Sequence, residues 1–371
     1  MKSYVYICNN FIRNKVHSET ILNLSKKYND VNHYIFVPYS DKNSINRNNI
    51  YSHNIYVEYI YVFKFLRFFP IIKSLAVFFL IFQKGLKKNI NWKSAKILAY
   101  TFWSDGVVAL YFNIFFKIPF SVFVRVTDTS IFFKYGLHLK YLLYLIGKKA
   151  KFIFFPSLVL KEKYCQYSLL YKNKNKNIFI PNSINNFWLD NIYYYDNLSI
   201  KNKKIIFVGD FNENKNLLGV FNACSYLYPL RKDFQLEFVG GKIEEFKSLC
   251  NVNHLPDWVV ITEKICKEQL LFKYRESNIL LVPSFSETFG MVYIEAISQG
   301  CFVIHSKNQG IEYLYTNEFS FSVDPSNFQE ISILINQLLD KDFQLDSISL
   351  KEKLKNFSAS KVINLYTCFF G

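Results

Sequence analysis

Two glutamates, Glu287 and Glu295, stand eight positions apart in the run PSFSETFGMVYIEA (283–296), with Gly290 between them. An ionised carboxylate only accepts hydrogen bonds, and it binds hydroxyls strongly. The unpaired N–H groups at a helix start bind anions, and a glycine there lets a phosphate come close. Carboxylates beside an anion site would repel the ligand unless they serve another part of it. A phosphate flanked by hydroxyl acceptors describes a nucleotide sugar. The plainer alternative for Glu287 is an exposed loop carboxylate favoured by the helix dipole alone. A second candidate is VGDFNENKN, with Gly209 directly after an apolar run and Lys215 six residues on. Glycine admits a phosphate to the backbone, and lysine at a helix start adds charge; an ordinary Gly-Asp turn with a solvated lysine is the alternative. The third turn, HSKNQGIEYL, has Gly310 before a helix-like turn and is weak by itself.

The elements that must position these groups follow from the hydrophobic pattern. Beyond residue 200 strands are expected at 204–208, 235–239, 258–262, 279–283 and 302–305. Helices are expected from about 215 and at 242–249, 267–275 and 289–299, which makes a doubly wound unit. Ligands of such sheets lie at the carboxyl ends of the strands, where all three turns fall. The first half alternates similarly, with apolar runs at 4–8, 34–38, 96–101, 120–126 and 152–156. Residues 178–200 carry Pro181 and many Asn without periodicity and read as a linker. Helical segments at about 326–340 and 347–368 close the chain.

Together the three turns resemble the donor domain of the retaining GT-B glycosyltransferases of the family 4 type, found among enzymes of O-antigen, capsule and lipopolysaccharide biosynthesis. The resemblance rests on Gly209 with Lys215, on the E-x7-E pair Glu287 and Glu295, and on the G-x-x-V-I continuation Gly300 to Ile304. It covers 204–315 closely, and IPNSI (180–184) resembles the family's step into the linker. It implies an α/β GT-B architecture: two Rossmann-like doubly wound domains facing a central cleft. The expected bounds are 1–183 for acceptor binding, with a C-terminal helix at about 357–371 packing back on it, and 184–356 for the donor. Glu287 would then face the transferred sugar and Glu295 the ribose, with the backbone of Gly290, Met291 and Val292 on the distal phosphate. Lys215 would neutralise the leaving diphosphate. The family usually has arginine after the first glycine, where this chain has Asp210. Either Asp210 turns away, or another cation such as Arg125 compensates. In the first half only RVTD (125–128) is suggestive: Asp128 would orient an acceptor hydroxyl and Arg125 contact acceptor or phosphate, with helix capping by Asp128 as the alternative. Asn9-Asn10 replace the family's glycine pair, so acceptor contacts do not transfer.

The 371 residues carry a net charge of 45 − 29 = +16, which suits nucleic acid, an anionic membrane or a phosphorylated substrate, or reflects compositional drift of the KNKNKN kind. The basic residues are dispersed and form no nucleic-acid module, so nucleic acid is not an expected partner. Seven cysteines without C-x-x-C spacing point to reduced cytosolic thiols, and no export signal is read at the N-terminus. Asp340-Lys341-Asp342 follows a helix and reads as a solvated helix end, so neither a metal nor another cofactor is expected. The apolar region 59–83 is broken by Lys64, Arg67, Pro70 and Lys73, too short between charges to span a bilayer of roughly 20 residues. It reads either as a surface resting on membrane or as a core helix. The expected activity is transfer from a UDP- or GDP-sugar to a saccharide or polyprenyl-diphosphate-linked acceptor, in the cytoplasm at the inner membrane face. A GT-B epimerase, acting on donor alone, and a non-catalytic basic membrane- or nucleic-acid-binding protein stand as rivals.

Overall fold

The computed structural model describes residues 2–11, 15–41, 50–167, 174–193, 203–341 and 347–370. The chain divides into two compact units, Met1–Ser183 with Ala359–Gly371, and Ile184–Ser358. The N-terminal unit is built on β1 (Ser3–Ile7), β2 (Asn32–Tyr39), β3 (Ile55–Tyr61), β4 (Ala95–Ala99), β5 (Phe120–Phe123), β6 (Ile153–Phe155) and β7 (Asn177–Phe179). These lie in the order β3-β2-β1-β4-β5-β6-β7, paired in parallel. The C-terminal unit holds β8 (Lys204–Val208), β9 (Gln235–Val239), β10 (Val259–Thr262), β11 (Ile279–Val282), β12 (Phe302–Ser306) and β13 (Ser320–Val323). Their order is β10-β9-β8-β11-β12-β13, again parallel. Both are Rossmann-like doubly wound sheets.

The strands read as continuous apolar runs because helices cover both faces of a parallel sheet. Every residue of β1 and of β12 is buried. Each order reverses once, between β1 and β4 and between β8 and β11, and the crevice at that switch point is where such sheets receive ligands.

Several elements differ from expectation for local reasons. The segment 178–200 is no plain linker: it includes the end of β7 and a helix, Asn186–Asp190, whose N-cap Asn185 accepts the Phe187 N–H at 3.0 Å; residues 194–200 lie outside the described residues. The closing helix breaks into three, Ser347–Lys355, Ala359–Leu365 and Thr367–Phe370. The first belongs to the C-terminal unit. The other two join the N-terminal core, where the Tyr4 hydroxyl donates to the Phe370 carbonyl at 3.0 Å and Tyr366 packs on Phe123 and Phe154. Region 59–83 is divided between β3, a tight turn at Lys64–Phe68 and the helix Pro70–Lys87. One face of that helix buries Val77, Phe78 and Ile81, while Ile71, Ile72 and Phe79 stay exposed. Among the described residues no helix is long and apolar enough to cross a membrane.

Candidate active site

The turns after β8 and β11 meet at the C-terminal switch point, and they bring Lys215 and Glu287 together. The Lys215 ammonium donates to Glu287 Oε2 at 2.7 Å, with both side chains only partly exposed. The approach is enforced by backbone. Phe285 N–H donates to the Asn214 carbonyl at 2.8 Å, and the Asn214 amide donates to the Ser286 carbonyl at 3.0 Å. Asn216 sits in the left-handed region at φ 59°, caps the helix Leu217–Leu227 through the Gly219 N–H, and donates to the carbonyls of Pro283 and Pro325. Asparagine tolerates this conformation better than most residues.

Gly209 lies under the lysine stem, with the Lys215 side chain 3.7 Å from where a Cβ would be. Its partner glycine across the sheet is less replaceable. Gly240 has φ +136°, and a Cβ there would lie 2.1 Å from the Gly209 carbonyl oxygen. Asp210 points outward: its side chain is 77% exposed and faces Lys264 at 3.6 Å. The carboxylate that replaces the expected arginine therefore turns away, in a weak surface pair with Lys264.

Glu287 is held from its other side by the third turn. Its N–H donates to Gln309 Oε1 at 3.2 Å, and the Gly310 N–H donates to its carbonyl at 3.1 Å. Its own Oε1 accepts the Thr288 N–H at 3.0 Å. Gln309 and Asn216 were not singled out from sequence; the signals were the HSKNQG turn and an Asn flanking the lysine, each ordinary alone.

The helix begins two residues later than the pattern suggests, at Met291, running to Ser298 with Gly290 as its N-cap at φ +79°. A Cβ on Gly290 would meet the Tyr293 ring at 2.2 Å, so both conformation and space require glycine. Tyr293 is anchored by its hydroxyl to the Val282 carbonyl at 2.8 Å. The N–H groups of Met291 and Val292 donate no hydrogen bond among the described residues. Glu295 lies half-buried one turn farther along, not in the Lys215–Glu287 pair.

The N-terminal candidates have a different setting. Asp128 is 1% exposed, and its carboxylate accepts the N–H groups of Phe102, Trp103 and Arg125 at 3.1, 3.0 and 2.8 Å. Burial pushes its carboxyl up to about 6, against the pull of these three donors. It ties the strand-end turn after β4 to the one after β5, which is a positioning role in place of the expected contact with an acceptor hydroxyl. It does not cap the next helix, where Thr127 is the N-cap. Arg125 is likewise engaged within its own unit, donating from Nε to the Tyr100 carbonyl at 2.9 Å and packing on the Phe123 ring. Burial lowers its pKa. Asp340 ends the helix Phe328–Leu339 and is gripped by Arg231 and Lys203; Asp342 lies outside the described residues.

Residues 196–359 match the family of glycosyl transferases group 1. A sequence search of curated proteins finds no match. Among solved structures, sucrose-phosphate synthase from Thermosynechococcus elongatus superposes with TM-score 0.73 at 17% identity, covering 100% of this chain and 99% of its own. The Anabaena protein HepE in complex with UDP-glucose gives 0.70 at 14%, covering 100% and 99%. The E. coli protein described as trehalose-6-phosphate bound with UDP-2-fluoro glucose gives 0.73 at 11%, covering 100% and 98%. These likenesses establish the GT-B fold over the whole chain. With the group 1 domain in its C-terminal unit, the chain is a glycosyltransferase.

Proposed function

We propose that the chain moves a hexose-type sugar from a UDP- or GDP-sugar, with retention, to a saccharide or lipid-linked saccharide in surface polysaccharide assembly. The carrying observation is the Lys215–Glu287 ion pair beside the open helix start at Gly290, Met291 and Val292. Donor entry exchanges partners there. The diphosphate draws the ammonium of Lys215 and the free N–H groups, and the carboxylate of Glu287 is released to accept sugar hydroxyls. As the glycosidic bond breaks, charge builds on the leaving phosphate, where lysine and helix N–H groups are already in place. Glu295, farther along the helix, takes the ribose hydroxyls. UDP-glucose bound to HepE, a protein of the same fold, favours a uridine nucleotide.

The membrane part of the proposal rests on Phe63, Phe65, Phe68, Phe69, Ile71 and Ile72, all large, apolar and exposed, interleaved with Lys64, Arg67 and Lys73. Apolar anchors among cations suit an anionic lipid surface. Thermal melting across UDP-, GDP- and ADP-sugars tests the donor. A ligand at about 100 Kd adds roughly 2.7 kcal/mol of stability and a clear rise in Tm. No rise with any nucleotide sugar sinks the proposal. Turnover of donor without added saccharide favours the epimerase reading instead, and the anomeric configuration of the product, read by NMR, decides retention.

A further inference from the structure

The turn after β12 grips Glu287 through both of its main-chain groups: the Glu287 N–H donates to Gln309 Oε1 at 3.2 Å, and the Glu287 carbonyl accepts the Gly310 N–H at 3.1 Å. A backbone N–H can only donate, so the bond fixes which end of the Gln309 carboxamide faces Glu287. Its oxygen is used there. Its NH2 group, with two donors, has no partner among the described residues, and the side chain is only half-buried. The other polar side chains beside it are engaged: Lys307 pairs with Glu330 at 2.6 Å, and the Ser306 hydroxyl donates to the Ser284 carbonyl at 2.6 Å.

The turn is also stiff. Asn308 and Gly310, on either side of Gln309, both lie in the left-handed region, at φ 57° and 55°. The Asn308 N–H donates to the Glu312 carboxylate, and the Lys307 N–H donates to the Val323 carbonyl at 2.8 Å. A Cβ on Gly310 would lie 3.3 Å from Glu287 Cγ, so the Glu287 side chain passes directly against the turn. Left-handed backbone outside glycine persists where surrounding contacts over-determine it, and here they hold a carboxamide in a fixed direction beside a carboxylate.

A sugar hydroxyl is donor and acceptor at once, whereas the Glu287 carboxylate only accepts. Glu287 therefore satisfies half of what a hydroxyl offers, and the NH2 of Gln309 is the complementary half. We propose that Gln309 is a specificity residue for the transferred sugar: its amide donates to the hydroxyl oxygens of the sugar whose protons Glu287 accepts, while its carboxamide oxygen steadies the Glu287 main chain. This rests on the nucleotide-sugar reading of the Glu287 site. It assigns to Gln309 the sugar and not the nucleotide.

The test is calorimetry on the full chain with UDP-glucose, UDP-galactose, UDP-N-acetylglucosamine and GDP-mannose, each beside UDP or GDP alone. For the nucleotide sugar that binds tightest, Gln309→Ala is expected to lower affinity by about three- to tenfold, the effect of losing one or two neutral hydrogen bonds, and to leave the bare nucleotide within about twofold. Gln309→Glu separates contact from scaffold. Its carboxylate still accepts the Glu287 N–H but donates nothing at neutral pH, so the ratio of nucleotide-sugar to nucleotide affinity falls as it does in the alanine variant. Restoration of that ratio by Gln309→Glu would mean that Gln309 only steadies Glu287, and overturns the proposal. So does an equal loss for nucleotide and nucleotide sugar, or tight binding indifferent to both variants; in each of these cases the donor reading stands and the role of Gln309 falls alone. Absence of binding by every nucleotide sugar to the parent chain removes the donor reading, and this inference with it.

Discussion

The two units share a topology and differ in what they do with the carboxylates at their switch points. In the C-terminal unit Glu287 is partly exposed, is paired with a single lysine, and precedes a helix start at Gly290. In the N-terminal unit Asp128 is sealed in and occupied by three backbone N–H groups. One carboxylate stays partly open to solvent and paired with a single cation, the other holds two turns in place. The fold supplies a location for chemistry; local solvation and the number of fixed donors decide whether a group there is available for it.

That contrast can be broken experimentally. The largest effect is expected at Glu287, where Glu287→Ala lowers sugar transfer by on the order of 10²–10³-fold in kcat/KM, with little change in unfolding free energy. Equal loss of stability and activity would mean that Glu287 is a scaffold group like Asp128. Conversely, Asp128→Ala leaves three buried N–H groups without an acceptor and costs about 3 kcal/mol in urea unfolding at about 1 kcal/mol each. A variant as stable as the parent but inactive would return Asp128 to the acceptor.

A buried ion pair in the scaffold sharpens the comparison further. Glu237 on β9 is 1% exposed and bound by Lys204 at 2.7 Å and Lys273 at 2.9 Å. Burial alone would raise its carboxyl, but the hydrogen bonds from Lys204, Lys273 and Thr262 hold it below its ordinary value. Because the folded pKa is depressed, this stabilisation is present above the unfolded glutamate pKa of about 4.3 and is lost as pH falls through the folded value. Glu237→Gln should cost about 3 kcal/mol at pH 7 and flatten the acid limb of the stability profile; an unchanged acid limb would refute the assignment. The smallest effect belongs to Asp210, an exposed residue. Asp210→Ala should change donor affinity by less than about twofold, since surface pairs contribute little. A gain of tenfold would mean that it faces the phosphate after all.

Much of the C-terminal unit was legible in sequence because its chemistry is local. The strands of 204–306 fall within a residue or so of their expected positions, and Glu287, Gly290 and Glu295 lie in one strand-turn-helix passage whose spacing is set by backbone geometry. β3, β7 and β13 were missed. β3 is an aromatic strand adjoining an apolar run, so its boundary has no turn residue to mark it, and β7 lies among asparagines that read as linker. The direction of Asp210 was undecidable from its neighbours, because Lys264, which it faces, lies beyond the next two helices and two strands.

Sequence by itself determined the periodicities of two doubly wound sheets, the glycine demanded at 290 and the pairing of glutamates with a helix start, since each depends on residues within a few positions of one another. Tertiary structure decided which charges meet. Lys215 reaches Glu287 across 72 positions, Asp128 reaches Phe102 across 26, and Tyr4 reaches Phe370 across 366. Such contacts follow from strand order, which no local pattern encodes, and solvation follows from them: a carboxylate stays partly exposed beside one lysine in one crevice and becomes a buried clamp in the other.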